Sequence, residues 1–328
     1  MKRVSLVGML AISVLLTAHI ASAQPATDYP TKPIRMIVPF APGGASDFVA
    51  RIVQPKMAEL LGQQIVIENR AGAGGNIAVE LVTRSAPDGY TILLGNVGTM
   101  AINPHLYRNL KFLPIRDLIG ITAIADLPGG IVVHPSVPVN TVTELIAYAK
   151  AHPGELTYGS AGVSSAQSLS FEFLKDKAGV NIMHVPYKGG AGAATIGALS
   201  GEVKIAVGTM ASFATHHKSG KLRIIGVLAP KRLPSHPNIA TLVESGFPEL
   251  TTASWQGIQV PAGTPRPIVE KLFAVMQKVV EDKTVDSRFD QVSAIVIVNK
   301  SPEDHLKFWK TQSDFWGGLI RKLNIPQL

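Results

Sequence analysis

Two short glycine- and serine-rich stretches carry the residue types best suited to holding a small ligand. The first is Phe40-Ala41-Pro42-Gly43-Gly44-Ala45-Ser46-Asp47, between the apolar run Ile34-Arg35-Met36-Ile37-Val38 and a helical pattern that begins at Phe48. The second is Tyr158-Gly159-Ser160-Ala161-Gly162-Val163-Ser164-Ser165, ahead of a pattern through Leu169, Phe173 and Leu174. A helix N-terminus carries backbone N–H groups without intrahelical partners and about half a positive charge. Glycine lets those groups approach a ligand, and serine adds a hydroxyl donor. Two such ends facing one cleft would grip a carboxylate from both sides.

Other side chains qualify this picture. Asp47 stands at a helix start, where a carboxylate caps free N–H groups; its other role would be to orient a ligand's amino group. Asn96 and Thr99 follow an apolar run and suit either turn formation or contact with the far end of a ligand. Tyr187-Lys188 could supply a wall and a cation, or an exposed loop. Gly72-Ala73-Gly74-Gly75 lacks both the lysine of a phosphate loop and the third glycine of a dinucleotide fingerprint, so 69–76 reads as a tight strand-to-helix turn. His216-His217 are adjacent and point apart, there is no HExxH, and no metal site is expected. Trp255, Trp309 and Trp316 read as packing residues. For catalysis, Ser164 or Ser165 is the candidate nucleophile, but the chain has no GxSxG elbow. A secreted serine hydrolase is therefore only a remote alternative to a protein that is not an enzyme, and no cofactor is expected.

The elements that must position these loops are short β-branched runs alternating with longer helical patterns, the mark of an α/β fold with mainly parallel sheets. Strands are expected at 34–40, 65–68, 91–94, 121–125, 131–133, 183–185, 205–207, 224–228 and 258–260. Phe48, Val49, Ile52, Val53, Leu60 and Leu61 are grouped on one helical face that Gly62 terminates. Thr141 to Glu144 forms a capping box, and Thr264-Pro265 and Ser301-Pro302 open two further helices. The chain can cross between two domains near Leu127-Pro128-Gly129-Gly130 and again near 251–256. Domain 1 is then discontinuous, 29–128 plus 255–328, and domain 2 spans 129–254. The two loops fall one in each domain, at the kind of junction where α/β sheets bind ligands.

Residues 1–23 read as a cleavable export signal: Lys2 and Arg3, an apolar stretch from Val4 to Ile20, and Ala21-Ser22-Ala23. No cysteine follows to carry a lipid. The absence of any cysteine excludes disulfides, thiolate metal sites and a cysteine nucleophile. The formal charge of +8 becomes +6 without Lys2 and Arg3, and the basic residues are scattered among few aromatics (6%), which argues against nucleic acid. A positive balance modestly favours anionic ligands.

Seven short motifs then occur in order: Tyr29-Pro30-x-x-Pro33-Ile34-Arg35, Val38-Pro39-Phe40-Ala41-Pro42-Gly43-Gly44-x-x-Asp47, Glu68-Asn69-Arg70-Ala71-Gly72-Ala73-Gly74-Gly75, Pro87-Asp88-Gly89-Tyr90-Thr91, Asn103-Pro104-x-Leu106-Tyr107, His184-Val185-Pro186-Tyr187-Lys188-Gly189 and Gly220-Lys221-Leu222-Arg223. Over essentially the whole mature chain this set resembles the Bug (Bordetella uptake gene) or TctC-type family, periplasmic solute-binding proteins of tripartite tricarboxylate transporters. The resemblance implies a two-domain, Venus-flytrap, type II-like periplasmic-binding-protein fold with two crossover segments. It implies a monomer that closes on a di- or tricarboxylate, an acidic amino acid or an aromatic acid and delivers it to a membrane permease. A periplasmic sensor presenting the closed form to a receptor is the alternative partner scheme. Carried onto this chain, the ligand-binding positions are Gly43, Gly44, Ala45, Ser46 and Asp47 in the first loop, and Ser160, Ala161, Gly162, Ser164 and Ser165 in the second. Asn96, Thr99 and Tyr187 are the additional candidates. The family's second loop runs Gly-Ser-x-Gly-x-Gly-Ser/Thr, two residues, His and Leu; here Ser164 replaces the third glycine and Ser168 the histidine.

Overall fold

A computed structural model describes residues 28–187, 190–250 and 253–328. The export signal at 1–23, Lys188-Gly189 and the first two residues of the 251–256 crossing lie outside the described residues. In chain order the elements are β1 (Ile34–Val38), α1 (Ala45–Leu61), β2 (Ile65–Asn69), α2 (Asn76–Thr83), β3 (Thr91–Asn96), α3 (Asn103–Leu106), α4 (Pro114–Asp117), β4 (Leu118–Val133), α5 (Val142–Ala151), β5 (Thr157–Ser160) and α6 (Ala166–Ala178). There follow β6 (Met183–Pro186), α7 (Gly190–Leu199), β7 (Ile205–Thr209), α8 (Met210–Lys218), β8 (Arg223–Leu228), β9 (Ala253–Pro261), α9 (Arg266–Glu281), α10 (Lys283–Gln291), β10 (Ile295–Val296) and α11 (Pro302–Lys322).

The strands join in the order β2-β1-β3-β9-β4-β7-β5-β6, with β8 and β10 also paired to β4. β1 pairs in parallel with β2 and β3, and β5 pairs in parallel with β6 and β7. Among these pairings every antiparallel one includes β4 or β9. The result is two α/β lobes joined through two long strands. β4 changes partners along its length: residues through Pro128 face β9, and Gly129 onward faces β7 and β8.

The sequence divides β4 into two strands with a link at Leu127-Pro128-Gly129-Gly130, whereas the chain runs straight through as one strand of 16 residues. The glycines answer to crowding and not to a turn. A Cβ on Gly129 would lie 3.1 Å from Gln167 Cγ, and one on Gly130 would lie 2.8 Å from Met210 Sδ. Close approach of neighbours is the other reason for glycine inside a strand. Pro128 falls at the partner change, where a missing N–H breaks the least of the ladder. Two further strands, β5 and the short β10, have no counterpart in the sequence reading.

α1 ends as expected, with Gly62 in the left-handed region (φ 66°). Ser46, Val49, Ala50, Val53, Met57 and Leu61 form its buried ridge. Phe48 lies on the opposite side at 100° per residue and is 46% exposed, so it does not share that face. One core packs β1, β3 and β9 against α1, α9 and α10. A second begins with Ile37 and Leu93 of the first lobe, passes Trp255, Trp309 and Trp316, and continues to Tyr158 and Leu174 in the other lobe. All three tryptophans are buried, in keeping with the packing role read from the sequence.

Candidate functional site

The first loop is shaped by Asp47. Its carboxylate accepts from the Gly43 N–H (2.9 Å), Arg51 Nε (2.8 Å) and Asn69 Nδ2 (3.0 Å). Burial pushes this carboxyl up, but the Arg51, Gly43 and Asn69 hydrogen bonds together hold it below the usual carboxylate range. Asp47 thus reaches back to fold the loop, and its oxygens are occupied. Ser46 is 2% exposed and donates its hydroxyl to Gln256 Oε1 on β9 (2.8 Å). Gly43 (φ 81°) makes the left-handed turn ahead of the helix, and Gly44 is its N-cap residue. Among the described residues, the backbone N–H groups of Ala45, Ser46 and Asp47 have no acceptor; the first bonded amide of α1 is Phe48, to Gly44 O (3.0 Å).

The second loop begins at Ser160, at the C-terminal end of β5. Ser160 is fully buried; its Oγ accepts from the Gly162 N–H (3.1 Å) and lies 2.7 Å from His184 Nε2. Gly162 takes φ 114°, which side-chain-bearing residues rarely adopt, and the space in front of it is open. Ser165 caps α6 by accepting from the Ser168 N–H (3.2 Å). The N–H groups of Ala161, Val163, Ser164, Ala166 and Gln167 have no acceptor among the described residues. The loop therefore presents a run of free amides, while Ser160 and Ser165 are spent on its shape. A serine–histidine contact does exist, but Ser160, its serine, has no accessible surface for a substrate.

The remaining candidates connect these loops. Asn96 Oδ1 accepts from the Thr99 N–H (2.9 Å), a closed turn after β3. A Cβ on Gly98, inside that turn, would lie 3.7 Å from Ser164 O, so the turn meets the second loop directly. Thr99 packs with Pro39 and Phe40 against Gly75, bringing the ends of β1, β2 and β3 together. Gly72 to Gly75 is the expected tight turn, with positive φ at each residue. Asn96 is also the register partner of Gln256, which holds Ser46. Tyr187 is turned away: its N–H donates to Ser160 O (3.0 Å), and its ring packs against Gly159 and Gly197. Gln256 and Gln167 are structural partners that the sequence reading did not single out, and His184, present there only within a motif, is brought to Ser160 by the fold. Ser46 and Gln256 are 210 residues apart, and no local pattern joins them.

Among the described residues, no group of three or more histidines and carboxylates is placed to hold a metal ion. No helix there is long and apolar enough to cross a membrane. The arrangement offers two sets of fixed N–H donors on two lobes, chemistry that suits an oxyanion.

Comparison with known proteins agrees with this geometry. The family model described as "Tripartite tricarboxylate transporter family receptor" (TctC) matches residues 49–325. The solved periplasmic binding protein BugD is 34% identical, with a TM-score of 0.83 over 92% of this chain and 100% of its own. An R. palustris protein solved with adipate is 32% identical, with a TM-score of 0.86 over 92% and 100%. MatC from Rhodopseudomonas palustris, solved with bound malate, is 29% identical, with a TM-score of 0.80 over 89% and 100%. These proteins belong to a solute-binding family and not to a family of enzymes. The chain belongs to the TctC family of tripartite tricarboxylate transporter receptors, the Bug-type periplasmic binding proteins.

Proposed function

We propose that this protein captures a small dicarboxylate between its lobes and hands it to the membrane permease of a tripartite tricarboxylate transporter. The observation that carries this reading is the pair of loops with free amides, Ala45 to Asp47 in one and Ala161, Val163 and Ser164 in the other. Asp47, Ser160 and Ser165 hold those amides in shape from behind. In this reading Gly43, Gly44, Ala45 and Ser46 face one end of the ligand, and Ala161, Gly162 and Ser164 face the same carboxylate from the other lobe. The side chains of Asn96, Thr99 and Tyr187 act behind the contact surface. The relatives solved with adipate and malate support a dicarboxylate.

The lobes in this scheme are 29–128 with 255–328, and 129–254. They close about the partner change in β4 and the start of β9. Residues 1–23 direct export to the periplasm, where the protein acts as a soluble monomer. A thermal-shift screen of ligand-stripped protein tests the reading, using adipate, malate, mono- and tricarboxylates, with the matching esters and amides as controls. A ligand at a hundredfold its dissociation constant stabilises the native state by about 2.7 kcal/mol. A shift with a diacid that its diester does not reproduce is the expected result; equal shifts with acid and ester, or a flat panel, overturn it.

A further inference from the structure

β6 lies beside β5 in parallel register, with His184 opposite Tyr158. Their rings stack at 4.4 Å with 4° between planes. That stacking fixes the imidazole plane and brings Nε2 to 2.7 Å from Ser160 Oγ, with Ser168 Oγ at 3.4 Å. Ser160 Oγ in turn receives the Gly162 N–H (3.1 Å). Behind this chain, Tyr158 donates its hydroxyl proton to Glu172 Oε1 (2.6 Å), which leaves the phenol oxygen to accept from Ser168 Oγ (3.2 Å). Lys175 Nζ holds both oxygens of Glu172 at 2.9 Å. A hydrogen-bonded line thus runs from an ion pair on α6 through Tyr158 to Ser168, and ends beside the imidazole that faces the second loop. Ser168, at its end, stands where the family pattern has a histidine.

We propose that His184 is the positioning residue of the second loop: its neutral imidazole accepts the Ser160 hydroxyl proton at Nε2, so that Ser160 Oγ can seat the Gly162 N–H. This deepens the carboxylate reading and rests on it for its effect on affinity. A hydroxyl that donates strongly also accepts more strongly, so the two bonds reinforce each other. Gly162, at φ 114° with open space in front of it, is otherwise held by its carbonyl, which accepts from the Ser165 N–H (3.1 Å) and lies 3.3 Å from Ser160 Oγ, a second acceptor with which His184 Nε2 competes for the one hydroxyl proton. Fixing it sets the curvature that keeps the amides of Ala161, Val163 and Ser164 free of protein partners. The groups facing the imidazole are Tyr158 and Ser160 from β5 and Ser168, Glu172 and Lys175 from α6. Burial lowers its pKa first of all, with Glu172 opposing and Lys175 assisting, so the ring is neutral at neutral pH. Protonation would put a proton on Nε2 and reverse the bond to Ser160.

Imidazole 15N shifts and backbone amide exchange in the wild-type protein test this, together with His184→Ala and His184→Gln. The expected wild-type signature is the Nδ1–H tautomer. Gly162 exchange is expected to rise at least tenfold in His184→Ala. In His184→Gln, whose Oε1 can accept from Ser160, the Gly162 protection factor stays near the wild-type value and does not change with pH. Affinity for adipate and malate should fall about tenfold in the alanine variant and recover in the glutamine variant. An Nε2–H tautomer in the wild type overturns the proposal without needing any variant to fold. Unchanged Gly162 exchange in His184→Ala, or no rescue by glutamine, overturns it as well. Failure of the wild type to bind either acid counts against the dicarboxylate reading, while exchange and tautomer still decide the role of His184.

Discussion

The Asp47 carboxylate accepts three hydrogen bonds while its side chain is only 3% exposed. A bond to an ionised group contributes about 1.5–3 kcal/mol, and the amide partner at Gly43 cannot turn elsewhere without unfolding the loop. Asp47→Ala is therefore expected to cost about 2–3 kcal/mol in urea denaturation. Arg51→Ala should cost markedly less, because that guanidinium is 56% exposed and its pairing is screened. Equal losses in the two variants would mean that the ion pair, and not the loop contact, is what matters. Part of this was legible: Asp47 and Arg51 have the i,i+4 spacing of a helical pair, and a carboxylate at a helix start suggests capping. The fate of Ser46 was not, because its acceptor, Gln256, is on a strand more than two hundred residues away. Ser160 was likewise chosen for its hydroxyl, and only the fold shows that His184 and Gly162 engage that hydroxyl.

At the scale of elements, the free amides of α1 can be tested one at a time without touching a side chain. Proline is well tolerated at the first position of a helix and removes the N–H there. Ala45 occupies that position, and Gly44 before it is extended (φ −84°, ψ 172°), the conformation a following proline requires. Ala45→Pro should keep its urea midpoint near the wild-type value. By calorimetry its affinity for the carboxylate should fall about tenfold, the effect of one charge-assisted hydrogen bond. Unchanged affinity would remove the α1 terminus from the site. The helix itself could be read from periodicity and from its Gly62 stop, since these are local. β5 could not: Tyr158-Gly159-Ser160 looks like a loop until the Tyr187 ring is seen to fill the space beside Gly159. The continuity of β4 was hidden for the same reason, because Gly129 and Gly130 answer to Gln167, Leu228 and Met210, residues distant in sequence.

Across the whole molecule, the lobes depend on β4 and β9, and two titratable groups lie beside those strands: half-buried Asp126 on β4, with one carboxylate oxygen shut off from solvent, and fully buried His305 on α11. Asp126 is the register partner of Trp255, and its Oδ1 has no hydrogen-bond partner. Burial raises its pKa to about 7, only partly opposed by the Leu127 N–H. His305 is fully buried with its ring edge-on to Trp255, and its Nδ1 is 2.8 Å from Asn299 Oδ1. That oxygen can only accept, so Nδ1 carries the proton and Nε2, which has no partner, would have to take a second one in the dark. Burial accordingly lowers its pKa to about 4. Between about pH 4 and 7 the native Asp126 keeps a proton that the unfolded chain has lost, so stability falls as pH rises. Between about pH 4 and 6.5 the unfolded His305 carries a proton that the native state lacks, so stability rises with pH. The two slopes oppose each other, each bounded by about 1.4 kcal/mol per pH unit, and the wild type should be nearly flat across the shared window. Asp126→Asn should then gain stability steadily from pH 4.5 to 6.5, while His305→Gln should lose it over the same range. Urea midpoints at unit pH intervals decide the matter: parallel curves for the three proteins would mean that neither group titrates inside the fold. Opposite slopes would show that the seam joining the lobes stays dry enough to hold an acid and a base in their neutral forms together.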